Sequence, residues 1–315
     1  MVFDFFNKST VEKSLCQHFS IDKRLFNIVV KMFDYVHESP CDFAKKLGID
    51  LLTNTDDCQI ICRHITTTND NLNSIMTKGM LSLDRVLTED TPMNAFLKKY
   101  GIVIDPKNRS MRIKDKVVLI NGFDEPCDPC YRNSTYTFDK RKRFHCCDFN
   151  QEMAFLNNKL YHDKSEIEAF ICGSDEELLS YQSVSNAPEI LLTVGRIISS
   201  VYTNSEDFLQ IAWSKQEGMK RYILEFPVPV NALDTNTDQK SRSGYDEYED
   251  WIEYSNFTCE DYYEDNIPLG FYRNIKLLKV GLDVIFDYAI DKYCQILPDY
   301  TIMPSDIKVH REYVL

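Results

Sequence analysis

The stretch that decides the fold is residues 58–83, CQIICRHITTTNDNLNSIMTKGMLSL. Its short apolar run over Ile60 to Ile65 predicts a buried strand that ends in His64-Ile65-Thr66. A polar turn over Thr67 to Asn71 follows. An amphipathic helix is then predicted, and it ends at Gly79 because glycine is the residue type that most often ends helices. The pattern predicts a strand that delivers polar side chains to its end, backed by a short helix.

Composition narrows the fold class and the kind of cofactor site. The 315 residues are 43% hydrophobic, which is typical of a globular protein with a sizeable core. Only 10 residues are glycine, and neither G-x-G-x-x-G nor G-x-x-x-x-G-K-[ST] occurs. The sequence therefore excludes a glycine-rich Rossmann site and a P-loop, and any dinucleotide has to be bound in another way.

The charge balance bears on the partners. A formal net charge of −13 argues against general affinity for nucleic acid, because neutralising phosphates requires clustered Lys and Arg. A local basic groove remains compatible with this balance, and Lys140 to Arg143 form one basic cluster. A nucleic-acid acceptor and a protein acceptor both stay open.

The number of cysteines and the hydropathy of the chain indicate the cellular compartment. The chain has 11 cysteines, an odd number, and its first residues, MVFDFFNKST, lack the pattern of a secretory signal. No apolar run approaches the roughly 18 residues that a membrane-spanning helix needs. We expect a cytoplasmic protein with reduced, mostly buried thiols and no membrane partner.

The chain is predicted to divide into a helical cap, residues 1–55, and a larger domain, residues 56–315. In the cap, Ser20-Ile21-Asp22 is predicted to open a helix with a broad apolar face that runs from Leu25 to Val36. The remaining predicted elements are a helix over 93–100, strand character over 111–120, helical pieces at 166–170, 176–181 and 188–197, a helix over 205–216 with Ser205 as its N-cap, a strand over 221–230, and a strand and a final helix within 267–297.

The order H-x-T, then Ile, then Gly-Met-Leu in residues 64–81 resembles the first motif of the ADP-ribosyltransferase family. That resemblance implies a fold that binds NAD⁺ without a glycine-rich loop. It implies that His64 hydrogen-bonds the ribose hydroxyls, that the Thr66 hydroxyl reaches the ribose or the amide, and that the backbone near Ile65 contacts the nicotinamide carboxamide.

Two later segments are similar to further parts of that family. Tyr202-Thr203, followed by Ala212-Trp213 and the strand over 221–230, matches the order of an aromatic-Thr pair, a helix and a strand. The resemblance implies that Tyr202 stacks on the cationic nicotinamide ring and that Thr203 lies beside the cofactor. It also requires a glutamate that stabilises the oxocarbenium-like charge, for which Glu253 is the first candidate and Glu312 the second.

A metal site competes with this interpretation. Cys127 and Cys130 form a C-x-x-C turn, and His145 and Cys147 follow with ligand types that suit structural zinc. The adjacent Cys146 and Cys147 and the missing second C-x-x-C leave reduced thiols as the other possibility. Residues 245–265, with nine Asp or Glu and no Lys or Arg, are either a solvated loop or a partner-binding segment.

Together these patterns predict an α+β protein, with a helical N-terminal segment before a mixed domain that has a split, largely antiparallel sheet. The resemblance implies transfer of ADP-ribose from NAD⁺ to a macromolecular acceptor with release of nicotinamide, with His64 and Glu253 in the catalytic centre. By analogy with the family, the expected setting is a toxin or a defence effector. The alternative is a non-enzymatic protein-binding module with a zinc-stabilised loop and an acidic surface.

Overall fold

The computed structural model describes residues 1–120, 148–162, 167–180, 186–199, 205–233, 269–288, 292–297 and 300–315. Its fold is α+β, as the sequence predicted, with helices packed on a largely antiparallel sheet. Of the helices in these residues, none is long and apolar enough to cross a lipid bilayer.

The helices and strands follow one another along the whole chain. The α-helices are α1 Lys8–His18, α2 Lys23–Met32, α3 Pro40–Leu47, α4 Asn73–Lys78, α5 Leu83–Thr88, α6 Pro92–Lys99, α7 Asp148–Asn157, α8 Asp175–Ser180, α9 Ile190–Ser199, α10 Phe208–Ser214 and α11 Leu269–Ile285. The strands are β1 Val2–Phe3, β2 Gln59–Thr68, β3 Ile102–Asp105, β4 Ser110–Ile113, β5 Lys116–Leu119, β6 Ile167–Cys172, β7 Lys220–Pro229, β8 Lys292–Ile296 and β9 Lys308–Val314.

Several predicted elements were wrong in type or in bounds. The predicted helix at 166–170 is the start of strand β6, whose last four residues are all buried. A short apolar run of this kind fits a buried strand as well as a helix, and only packing decides between them. The strand character over 111–120 belongs to a hairpin of β4 and β5 that turns at Lys114 and Asp115. In 267–297 the helix precedes the strand, and the N-cap of α10 is Asp207 rather than Ser205.

The chain folds into two compact units that interleave along the sequence. The first comprises Met1–Arg63, Glu168–Leu178 and Phe226–Leu297, and the second comprises His64–Ile167, Leu179–Glu225 and Pro298–Leu315. Strands β2 and β7 each begin in one unit and end in the other. These units consist of residues that lie close together in space and do not correspond to one cut in the chain. The predicted boundary between residues 55 and 56 therefore stays a prediction.

The first unit packs α1, α2, α3 and α11 around one end of the sheet. There the strand order is β8-β6-β2-β7, and β1 pairs with β2 in parallel. Helices α1 and α11 approach closely, since a Cβ on Gly281 would lie 2.7 Å from the Leu15 side chain. The predicted apolar face of α2 is only half buried: Phe26, Val29 and Phe33 lie in the core, and the other predicted members, Leu25, Ile28, Met32 and Val36, are exposed.

The second unit contains the ends of the sheet strands in the order β2-β7-β9, together with a separate three-stranded sheet, β3-β4-β5. Its core lies among α5, α6, α7, α9, α10 and the inner face of the small sheet. Trp213 on α10 is 2% exposed and packs edge-on against Phe96 of α6 at 5.1 Å between ring centroids. This core forms the support beneath the end of β2.

Candidate functional site

The end of β2 presents the residues of the H-x-T motif. Side chains alternate between the two faces of a strand, so His64, Thr66 and Thr68 share one face, and Ile65 and Thr67 share the other. His64 and Thr66 are half-buried, whereas Ile65 is buried. The strand continues to Thr68, two residues beyond its predicted end. A ligand at this face would therefore meet His64 and Thr66 but not the Ile65 side chain.

The opposite face of β2 is fixed to the helical core. The Trp213 Nε1–H donates a hydrogen bond of 2.8 Å to the Thr67 hydroxyl, and both side chains are buried. A buried indole N–H without an acceptor would be costly, so this bond holds the strand end against α10. The sequence places Thr67 in a turn, and it missed this contact because the two residues are far apart in the chain.

Asp70 joins the end of β2 to the start of α4. The Thr68 hydroxyl donates to one carboxylate oxygen of Asp70 at 2.7 Å, and the Ser74 backbone N–H donates to the other at 2.9 Å. Burial by itself raises the pKa of Asp70, but the hydrogen bonds from Thr68 and Ser74 outweigh it and leave the pKa below its ordinary value. The fixed anion orients the chain immediately after the H-x-T motif.

Gly79 ends α4 as predicted, and the structure gives a second reason for glycine. Its φ of +78° lies in the region that other residues avoid. A Cβ at this position would lie 2.2 Å from the carbonyl oxygen of Ile302, which accepts a hydrogen bond from the Met80 N–H at 3.3 Å. Glycine thus allows the chain after α4 to pair with the segment that leads into β9.

Strands β7 and β9 bring a carboxylate to the same unit. Tyr222 and Glu312 are directly opposite each other in the antiparallel pair, so their side chains share a face. The Lys220 ammonium donates to Glu312 Oε1 at 2.8 Å. Burial raises the pKa of Tyr222, and the carboxylates of Glu312 and Asp70 raise it further. Tyr222 and Glu312 therefore lie on one face of the β7-β9 pair, in the same unit as His64.

The strand order brings the residues of β2, β7 and β9 together in one sheet. Because β7 lies between β2 and β9, and neighbouring strands are about 4.8 Å apart, the strand with His64 and the strand with Glu312 are roughly 10 Å apart. Tyr222 lies on the middle strand, β7, and its ring is covered, since it is 2% exposed. The surface combines hydrogen-bonding groups at one side, a carboxylate at the other, and a cation, Lys220, beside that carboxylate.

The structure places some of the predicted site residues and not others. His64, Ile65, Thr66 and Glu312 belong to this surface or to its supporting strand. Tyr202, Thr203 and Glu253 lie outside the described residues, as does the basic cluster over 140–143. Sequence reasoning missed Asp70, Lys220 and Tyr222. No local pattern indicates that Tyr222 lies opposite Glu312, because this depends on the register between β7 and β9.

The predicted zinc site cannot be placed on this fold. Cys127, Cys130, His145 and Cys147 all lie outside the described residues, as does the acidic stretch 245–265. Within the described residues, no group of three or more His, Cys, Asp or Glu side chains is arranged to hold a metal ion. No disulfide joins the six cysteines of the described part, and five of them are buried.

A second polar constellation, buried in the first unit, was not foreseen. Asn274 donates through Nδ2 to the carbonyl oxygens of Leu51 and Thr53, at 2.9 and 2.8 Å. Its Oδ1 therefore faces His18 Nε2 at 2.7 Å, so Nε2 carries the proton of a neutral imidazole. The Nδ1 lone pair then faces the Cys58 thiol at 3.6 Å.

Burial makes this Cys-His-Asn constellation a poor nucleophile despite its residue types. Cys58, His18 and Asn274 are 3%, 7% and 0% exposed. Burial raises the pKa of Cys58 and lowers the pKa of His18, so the proton stays on sulfur and the imidazole stays neutral. Reactive cysteines are exposed and have depressed pKa values, so we assign this network to structure: it connects α1, the segment before β2 and α11.

Comparisons with models of protein families, with curated proteins and with solved structures found no match to this chain. The case for a function accordingly depends on the geometry of the site and on the motif resemblance.

Proposed function

We propose that the second unit binds NAD⁺ across β2, β7 and β9 and transfers its ADP-ribose to a macromolecular acceptor. The observation that supports this most is that β2, with His64 and Thr66, and β9, with Glu312, flank β7 in one sheet, where Tyr222 and Glu312 share a face. The roughly 10 Å between the outer two strands suits a nicotinamide riboside that reaches from β2 to β9. The proposal also draws on the resemblance of residues 64–81 to the ADP-ribosyltransferase motif.

In this proposal each residue has a defined task. His64 and Thr66 hydrogen-bond the ribose and the amide end of the ligand. The glycosidic bond between nicotinamide and the anomeric carbon breaks, and its electron pair leaves with nicotinamide. The Glu312 carboxylate accepts a hydrogen bond from a ribose hydroxyl and stabilises the positive charge that develops on the sugar. A nucleophile of the acceptor then bonds to the anomeric carbon and loses its proton to solvent.

The test is nicotinamide release from labelled NAD⁺ by the purified chain, measured by chromatography. We expect release by the wild type, and losses of at least about 100-fold in His64→Ala and Glu312→Gln, because each removes a contact to the reacting sugar. Glu217→Gln is the matched control, since Glu217 is an exposed carboxylate of the same unit. It should release nicotinamide at the wild-type rate.

A further variant, Glu253→Gln, decides between the two predicted glutamates. Loss of release in Glu253→Gln together with full activity in Glu312→Gln would transfer the role to Glu253. A wild type that neither releases nicotinamide nor gains thermal stability with NAD⁺, in the presence of protein and nucleic-acid acceptors, would contradict the proposal. The binding-module alternative would then stand.

A further inference from the structure

The charge of the second unit is distributed unevenly, although the whole chain is acidic. Residues 98–116 contain seven Lys or Arg and two acidic residues, in a protein with a net charge of −13. All seven basic side chains are exposed: Lys98, Lys99, Lys107, Arg109, Arg112, Lys114 and Lys116. They belong to the end of α6 and to the small sheet β3-β4-β5, which we call the basic sheet.

The basic sheet has one face in the core and one in solvent. Ile102, Ile104, Met111 and Ile113 point into the hydrophobic core. On the other face, Arg112 is directly opposite Val103 on one side and Val117 on the other. Val117 is 65% exposed and Leu119 is 58% exposed. The solvent face therefore combines apolar surface with a central guanidinium group.

The cations extend along the sheet instead of encircling one point. Lys114 lies at one end, where its N–H bonds the carbonyl of Gly101 at 2.8 Å, just after Lys98 and Lys99. Lys107 and Arg109 occupy the turn at the other end. Arg109 stacks on the Tyr161 ring, 4.2 Å from its centroid, which holds the guanidinium in place. At about 3.4 Å per residue, the two ends are roughly 15 Å apart.

We propose that the basic sheet is a docking surface for nucleic acid, bound through its phosphates without sequence readout. A nucleic-acid strand carries one phosphate per about 3.4 Å of helix axis, so a sheet that has cations at both ends, roughly 15 Å apart, faces several phosphates. Arginine forks match phosphate oxygens, and the exposed Val117 and Leu119 offer apolar contact to bases or sugars. The inference uses none of the residues of the proposed NAD⁺ site and stands or falls without it.

The test measures fluorescence anisotropy of labelled oligonucleotides of about 20 nucleotides, as single-stranded DNA, single-stranded RNA and duplex DNA, between about 50 and 200 mM salt. The test variant is Lys99→Ala, Lys107→Ala and Arg112→Ala combined. The matched control is Lys13→Ala, Arg24→Ala and Lys31→Ala combined, which removes the same charge from exposed positions of the first unit. Circular dichroism confirms that both variants fold.

We expect the wild type and the control to bind at least one of the three nucleic acids with similar affinity. The test variant should bind at least tenfold more weakly at the higher salt, and the slope of log affinity against log salt should fall by about two for a single strand. Equal losses in the two variants would overturn the inference. So would a wild type that binds polyglutamate or phosphatidylserine vesicles but none of the nucleic acids, or one that binds nothing.

Discussion

Each unit of this protein contains a histidine held among polar side chains, and the two surroundings differ in access to solvent. In the first unit, His18 is 7% exposed and bonded on both ring nitrogens, to Asn274 and Cys58. In the second, His64 is half-buried on a sheet face with Thr66. Cys58, His18 and Asn274 are the residue types of an activated thiol nucleophile. They match a known kind of active site more closely than His64 and Thr66 do. Burial, rather than residue identity, separates a structural network from a candidate site.

The largest expected effect lies in the buried network. Asn274→Ala removes the side chain that links His18 to the carbonyls of Leu51 and Thr53, leaving buried polar groups without this partner. Each such group costs about 1–3 kcal/mol, so we expect the free energy of unfolding to fall by about 3 kcal/mol in urea titrations.

Asn231→Ala, at an exposed position of the same unit, serves as its control and should stay close to wild type. At a temperature where Asn274→Ala is still folded, nicotinamide release per folded molecule should equal that of the wild type. A variant that loses release without losing stability would show that the buried network is itself a site, and would break the comparison.

The second effect concerns the support of the candidate site. Gly79→Ala places a Cβ 2.2 Å from the Ile302 carbonyl oxygen at a φ of +78°, whereas Gly48→Ala, at a φ of +65°, meets nothing within 4 Å. We expect a loss of about 1 kcal/mol for Gly48→Ala and of more than about 2 kcal/mol for Gly79→Ala, because only the latter adds a clash with backbone.

Thermal and urea unfolding of the two glycine variants measure this difference. Gly79→Ala should also lower nicotinamide release, because Gly79 lies between the H-x-T strand and the segment before β9. Equal stability losses in the two variants would mean that the Ile302 segment yields easily and does not fix the site.

The smallest effect is a pH dependence that comes from His18. Burial lowers the pKa of His18 in the folded state below its ordinary value of 6.5. Below about pH 6.5 the unfolded chain binds a proton that the folded protein excludes, so stability is full above that pH and falls as the pH drops. The loss approaches about 1.4 kcal/mol per pH unit for one proton.

Urea unfolding at about pH 7.5, 6.5 and 5.5 tests this dependence. The control is Gln17→Ala, because Gln17 is exposed on the same helix as His18 and has no titratable side chain, so the slope should stay unchanged. His18→Gln should flatten the slope over this range. A slope that His18→Gln does not alter would mean that the imidazole is accessible to protons, which would remove the contrast with His64.

Local sequence signals were sufficient to predict elements whose ends carry a characteristic residue type, such as glycine at the end of a helix. Gly79 ended its helix as predicted, and β2 was found from its apolar run. Local signals were insufficient at residues 166–170 and for the order of helix and strand within 267–297. A short apolar run is compatible with either structure until its packing is known. The candidate site was half predictable: His64 and Thr66 are a local pattern, whereas Tyr222 and Glu312 meet through strand register.

The sequence by itself determined an acidic α+β chain without a glycine-rich phosphate loop, and a strand that ends in a His-x-Thr pair. Composition and alternation act over a few residues, so they can be read directly from the chain. Only the tertiary structure decided that Glu312 lies opposite Tyr222, that Cys58, His18 and Asn274 form a closed network, and that the cations of residues 98–116 spread over one small sheet. These are contacts between distant segments, and their energies depend on register and burial, which no local pattern specifies.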